Sequence, residues 1–136
     1  MSEQNKQIAR RFISAFEAGD TAALDRIVAD TIVDHSAPPG QPGGKQGLFG
    51  AVKMFRAAFP DLRITVSHAV AEGDLVVVQG MIHGTNSGPM MAMPPTGKAA
   101  SFAYMDMYRI ANGLITDSWH IEDIAGMLRQ LGVMPA

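Results

Sequence analysis

Over residues 2–18 the apolar positions Ile8, Phe12 and Phe16 recur every fourth residue with Ala9 and Ile13 beside them, which lays one stripe along an amphipathic helix. Ser2 is the expected N-cap and Gly19 the expected stop. Asp20 or Thr21 then caps a shorter helix with Leu24, Ile27 and Val28 on one face, so the two form a hairpin. Between Ser36 and Gly44 the prolines remove backbone donors and the glycines add chain entropy, which predicts a surface loop. A third helix is expected over 45–59, striped by Leu48, Val52, Phe55 and Phe59 and ended by Pro60-Asp61.

Beyond Pro60 the period changes. Residues 63–70 and 75–83 are rich in β-branched residues, and Glu72-Gly73-Asp74 between them reads as the turn of a β-hairpin. With Gly73 and Asp74 at the tip, Ile64, Val66, His68 and Val70 share a face with Val77, Gln79, Met81 and His83. Residues 84–98, with Pro89, Pro94, Pro95, Met90, Met91 and Met93, form a long irregular connection: a lid over a site, or a mobile crossing with methionines tucked onto the core.

Asn112-Gly113 is the strongest hairpin signal in the chain, because both central residues of a type I′ turn need positive φ. A plain two-residue turn sets Ile110 opposite Ile115, Tyr108 opposite Asp117, Asp106 opposite Trp119, Tyr104 opposite Ile121 and Phe102 opposite Asp123. That face is the more aromatic and is expected to line the core, which turns His120 and Glu122 to the back; a bulge would reverse the assignment. A last helix follows, held by Ile124, Met127, Leu128 and Leu131. The order of elements predicts an α+β domain, helices covering one side of a curved antiparallel sheet and leaving a cone-shaped cavity.

Composition narrows the function. At 136 residues one domain, 1–136, is expected, and 47% hydrophobic against 18% charged residues is an ordinary globular balance. A net charge of -2 gives no footprint for nucleic acid. With no cysteine, disulfides, thiolate metal sites and thiol nucleophiles are excluded. Neither a signal-peptide pattern nor an apolar run of membrane-spanning length is present, so no membrane partner and a cytoplasmic location are expected.

Asp123, beyond Trp119 and Ile121 on the aromatic face, would be poorly solvated there, which raises a carboxylate's pKa and suits it to proton transfer. Its bland alternative is the N-cap of the last helix. Asp106, inside Tyr104-Met105-Asp106-Met107-Tyr108, needs a catalytic role, a buried network or an exposed sheet edge to be tolerated. In this register it stands roughly 13 Å from Asp123, at ~3.4 Å per residue. His35, beside the Pro/Gly loop, is placed to reach a cavity mouth, while His68, His83 and His120 read as structural or surface histidines. No His-x-x-x-His spacing, nucleophile elbow or phosphate-binding glycine loop occurs.

Asp34-His35-Ser36, Phe59-Pro60-Asp61-Leu62, Glu72-Gly73-Asp74-Leu75 and Pro95-Thr96-Gly97-Lys98, followed by Tyr108 to Ile115, Trp119-His120-Ile121-Glu122-Asp123 and Arg129-Gln130-Leu131-Gly132, together resemble the SnoaL-like polyketide cyclases, or ester cyclases, of the nuclear-transport-factor-2-like superfamily. The resemblance implies a cone-shaped, cystatin-like α+β barrel, a homodimer packed through its sheets, a deep apolar pocket and no cofactor. It also implies an aspartate near the end of the last strand, a position that looks like Asp123, acting as acid/base in an intramolecular aldol closure. Those cyclases carry a histidine on the preceding strand, where this chain has Asp106-Met107-Tyr108-Arg109, and many have Gly-Thr-His-x-Gly where this one has Gly84-Thr85-Asn86-Ser87-Gly88.

The leading expectation is therefore a cofactor-independent cyclase, lyase or isomerase acting on a small apolar carbonyl substrate, with Asp123 transferring the proton and Asp106 and His35 supporting it. Phe16, Phe55, Phe102 and Tyr104 would line the pocket, with Trp119, Ile121 and His83. Two alternatives stand beside it: a limonene-type epoxide hydrolase using Asp106, Asp123 and an arginine, and a binding or dimerisation module without chemistry.

Overall fold

In the computed structural model, which describes residues 2–90 and 92–134, helix α1 (Ser2–Ala18) buries Ile8, Ala9, Phe12, Ile13 and Ala15 along the predicted stripe. It ends at Gly19, whose φ of +70° is strained for any residue with a Cβ. The Asp20 carboxylate accepts from the Ala23 N–H at 3.0 Å and starts α2 (Thr21–Ile27). The chain then enters a short strand, β1 (Val28–Asp34), that helical periodicity does not reveal; Val28, expected on the helix face, is its first residue. Helix α3 (Gly44–Ala58) lies one residue N-terminal to its predicted span.

The strands β2 (Arg63–Glu72), β3 (Leu75–Thr85), β4 (Ala99–Ala111) and β5 (Leu114–Glu122) precede α4 (Ile124–Gln130). They form one curved, open sheet in the order β1-β5-β4-β3-β2, antiparallel except where β1 runs parallel to β5. The tips fall where expected: Glu72 pairs with Leu75, and Ala111 with Leu114 around Asn112 (φ 53°) and Gly113 (φ 78°).

Besides a register shift between Val28 and Val33 where β1 meets β5, two bulges between antiparallel strands break the regular alternation. One, between Val66 and His68, turns Ile64 and Val66 inward while His68 and Val70 stay on the outer face. The other lies opposite the Arg109–Ile110 step and leaves Thr116 as an extra residue in β5. The core fills the space between the helices and the inner face of the sheet, around Phe59, Phe102, Tyr108, Val76, Val78 and Ile115.

The 84–98 connection is pinned by one residue. Asn86 is fully buried; its amide donates to the carbonyls of Ala58 (3.3 Å) and Gly88 (2.9 Å), and its carbonyl accepts from the Thr96 N–H (2.9 Å) and hydroxyl (3.0 Å). Further out, Met90 and Met93 exchange backbone hydrogen bonds across an isolated bridge; Met91 lies outside the described residues.

Candidate active site

The extra residue at Thr116 decides which side chains of β5 face the helices. Ile110 still pairs with Ile115, but Arg109 now pairs with Asp117, Tyr108 with Ser118, Asp106 with His120 and Tyr104 with Glu122. Because side chains alternate along a strand, one inserted residue exchanges the two faces beyond it. Ser118, His120 and Glu122 therefore join Tyr104, Asp106 and Tyr108 on the inner face.

That face closes one side of a cavity of about 660 Å³, within the range of small-molecule sites. Its apolar wall comes from α1 (Phe12, Phe16), α3 (Leu48, Met54, Phe55) and α4 (Met127, Leu128), with Met90 and Met93 added by the 84–98 connection. The polar groups are concentrated on β1, β4, β5 and the loop after β1.

His120 is held from both sides. Its Nδ1 lies 2.8 and 3.1 Å from the two Glu122 oxygens, and its Nε2 lies 3.0 Å from Asp34 Oδ2. Asp34 also accepts from the Ser36 N–H at 2.9 Å, and the Ser36 hydroxyl accepts from the His120 backbone N–H at 2.9 Å, so the loop after β1 is tied to β5. Bonds to the Asp34 and Glu122 carboxylates push the His120 pKa up to about 10, and the ring is an imidazolium at neutral pH. Burial opposes ionisation of Asp34, but its bonds from His120 and Ser36 outweigh that and bring its pKa below the ordinary value.

Asp106 is the opposite case. It is deeply buried, and burial pushes its pKa up to about 6 despite the Tyr108 hydroxyl, which donates to Oδ2 at 2.6 Å. Oδ1 has no protein partner among the described residues, and no side-chain oxygen among them is both sealed from solvent and unpartnered, so Oδ1 opens onto the cavity. A carboxylate that is ionised at neutral pH, poorly solvated, and has one free oxygen facing an apolar cavity is equipped to take a proton from carbon. Among the described residues, no group of three or more His, Asp or Glu side chains is arranged to hold a metal ion.

Of the expected site residues, Asp106, Phe16, Phe55 and Tyr104 line the cavity. Others do not. Asp123 lies past the end of β5, where its carboxylate caps α4 by accepting from the Gly126 N–H at 2.9 Å; the cap geometry governs it and it is not part of the lining. Trp119 and Ile121 are turned to the outer face by the bulge, Ile121 with 77% of its surface exposed. His35 stacks on Trp119 at 4.4 Å between ring centroids and pairs with Asp117 at 2.8 Å, also outside the cavity. His83 faces outward with Ser101, at 2.8 Å, and Phe102 points inward but is consumed in packing against Phe59.

His120, Glu122, Asp34, Ser36 and Ser118 were not expected at the site. One signal for them existed: an aspartate within an apolar strand needs polar neighbours, and most of the polar members of β5 are on the face opposite to the one alternation favoured. The arginine required for epoxide hydrolysis is absent from the cavity lining; Arg109 lies on the outer face, 3.3 Å from Asp74 and over the Trp119 ring. A binding module without chemistry would be favoured by a cavity collapsed around Phe102, Tyr104 and Trp119 with Asp123 turned to its own helix; the cavity is open beside Tyr104, while Asp123 does cap α4.

Residues 6–131 match the family model described as SnoaL-like polyketide cyclase. The chain is 29% identical over 122 residues to the nogalonic acid methyl ester cyclase of Streptomyces nogalater, covering 88% of this chain and 91% of that one. It is 26% identical over 128 residues to the aklanonic acid methyl ester cyclase DauD of Streptomyces sp. strain C5, covering 92% and 80%. Among solved structures, TsrD from Streptomyces laurentii superposes with a TM-score of 0.88 at 27% identity, covering 97% of each chain. IdmH from Streptomyces antibioticus superposes with a TM-score of 0.84 at 34% identity, covering 96% of this chain and 99% of the other.

Proposed function

The chain belongs to the SnoaL-like polyketide cyclase family, and from that premise we propose that it is a cofactor-independent acid/base enzyme closing a ring by intramolecular aldol addition in a mostly apolar carbonyl compound. The observation that carries this reading is Asp106: buried, ionised at neutral pH, and open to a 660 Å³ apolar cavity through one unpartnered oxygen. Asp106 removes a proton from a carbon activated by neighbouring carbonyls, and the electron pair of that bond passes into an enolate. The enolate carbon attacks a second carbonyl, and the resulting alkoxide takes the proton back from Asp106. The substrate delocalises the charge itself, so a single placed carboxylate suffices and no cofactor is required.

His120 does not act as the base in this scheme. Its protons are engaged by Asp34 and Glu122, and its fixed positive charge offsets the carboxylates grouped around Asp106. We further propose a cytoplasmic homodimer, joined through the outer face of the sheet, where Val70, Met105 and Ile121 expose 61%, 54% and 77% of their surface.

Proton exchange in D2O on nogalonic acid methyl ester, the compound for which one relative is named, tests the assignment. Asp106→Asn should slow exchange about 10²–10⁴-fold, the usual worth of a positioned base. Asp123→Asn should exchange at the wild-type rate. A slow Asp123→Asn variant beside an unimpaired Asp106→Asn variant would move the base to the helix cap.

A further inference from the structure

Once Asp106 has taken the proton, the negative charge left on the substrate needs a partner in the cavity. Asp34, Asp106 and Glu122 all line the cavity, so an oxygen that becomes anionic there meets carboxylates unless donors are aimed at it. The side chains in the lining that carry donors are Ser36, Gln41, Tyr104, Tyr108, Ser118 and His120.

Most are committed. Tyr104 donates to the Thr65 carbonyl at 2.8 Å, Tyr108 to Asp106 at 2.6 Å, and Gln41 turns one of its two amide hydrogens toward Asp34 at 3.5 Å. His120 has a carboxylate against each ring nitrogen. Two hydroxyls remain. Ser36 accepts from the His120 backbone N–H and donates to no protein group among the described residues. Ser118, only 8% exposed, has no side-chain partner among them. Its hydroxyl is not sealed in the core, because no buried side-chain oxygen lacks a partner; it opens onto the cavity. Ser118 pairs with Tyr108 on one side and with Asp34 on the other, and Ser36 is tied to His120, so both hydroxyls border the group that holds Asp106.

We infer that Ser118, with Ser36 beside it, donates the hydrogen bonds that hold the substrate oxygen on which enolate charge develops. The inference rests on the proposed aldol reading and assigns its oxyanion donors. Proton, charge and donors then occupy separate places: the proton on Asp106, the charge on the substrate oxygen, and the hydroxyl hydrogens of the two serines directed at it. Each serine donates without losing its proton, so the step balances with no further reactant.

A bound phenolate imitates the enolate oxygen without turnover, so 1,8-dihydroxyanthraquinone is the probe, its ionisation followed by absorbance in the full-length protein. Ser118→Ala should raise the bound probe's ionisation midpoint by about 1 pH unit, as expected for losing one hydrogen bond to an anion, and Ser36→Ala should act in the same direction. Ser118→Thr, which keeps the hydroxyl, should stay near wild type, and Asp106→Asn should lower the midpoint by removing a neighbouring negative charge. On nogalonic acid methyl ester, Ser118→Ala should lose about 10²-fold in kcat with KM within a few-fold. Wild-type midpoints in both alanine variants overturn the serine assignment while leaving Asp106 as the base. A probe that does not bind at all counts against the apolar-carbonyl reading, and this inference falls with it.

Discussion

Tyr108→Phe tests the linkage between a single hydrogen bond and the base. The Tyr108 ring is 1% exposed and packs 5.0 Å from Phe12, so phenylalanine keeps the packing and removes only the hydroxyl. That hydroxyl donates to Asp106 at 2.6 Å and favours the ionised carboxylate, against burial that pushes its pKa up to about 6. A hydrogen bond to a charged group is worth about 1.5–3 kcal/mol, and ~1.4 kcal/mol corresponds to one pH unit, so the Asp106 pKa should rise by roughly 1–2 units. With Asp106 as the base, the acid limb of kcat/KM is expected near pH 6 in wild type and at about pH 7–8 in the variant, with the plateau above it largely retained. Carbon-13 NMR of labelled aspartate should show the same displacement in one carboxyl. If the carboxyl moves but the acid limb stays, Asp106 is not the base. If neither moves, the Tyr108 hydroxyl does not govern Asp106.

Further outcomes follow from the same geometry. Asp34→Asn removes the strongest partner of His120, so the His120 pKa, held near 10, should fall toward its ordinary 6.5; an unchanged imidazole NMR titration would contradict the clamp. Because the folded-state pKa of His120 lies above its unfolded value, its contribution to stability is fully present below about pH 6.5 and is lost as pH rises through about 10. Wild type should therefore lose more unfolding free energy between pH 6.5 and 10 than Asp34→Asn does, read by urea denaturation at each pH. Asp123→Ala deletes the cap of α4 and should cost ~1 kcal/mol of stability without changing the acid limb, whereas a displaced limb would return Asp123 to the chemistry. For the proposed homodimer, Ile121→Lys on the outer face should give a monomer in analytical ultracentrifugation where wild type sediments as a dimer; an unaltered dimer would place the interface elsewhere, and a monomeric wild type would refute the dimer.

The helices and the hairpin turns were legible because each is encoded locally. The stripe of Ile8, Phe12 and Phe16, the stop at Gly19 and the paired positive φ values of Asn112 and Gly113 are properties of a few consecutive residues. β1 was not legible. Val28 pairs with Ile115 of β5, more than 80 residues later, and no local period reports such a partner. The Asn86 anchor was hidden for the same reason, since its acceptors lie at the end of α3 and within its own loop.

The face assignment of β5 is overturned by one residue. Every expected pair from Tyr108–Asp117 onward is displaced by the single position that Thr116 adds, and the count of aromatic side chains favoured the wrong face. Thr116 leaves no mark in the sequence, because a β-branched threonine suits a regular strand and a bulge equally. Asp106 carried the stronger clue. An aspartate set among Tyr104, Met105, Met107 and Tyr108 and turned toward the core would be costly beside Trp119 and Ile121 alone, whereas the alternative register sets it across from His120, next to Glu122, and gives the buried charge a polar setting. Where aromatic content and the solvation of a buried carboxylate point to opposite faces of a strand, the carboxylate is the better guide. A misplaced tryptophan loses part of its burial, about 25 cal/mol per Å², while an unaccompanied buried charge costs several kcal/mol.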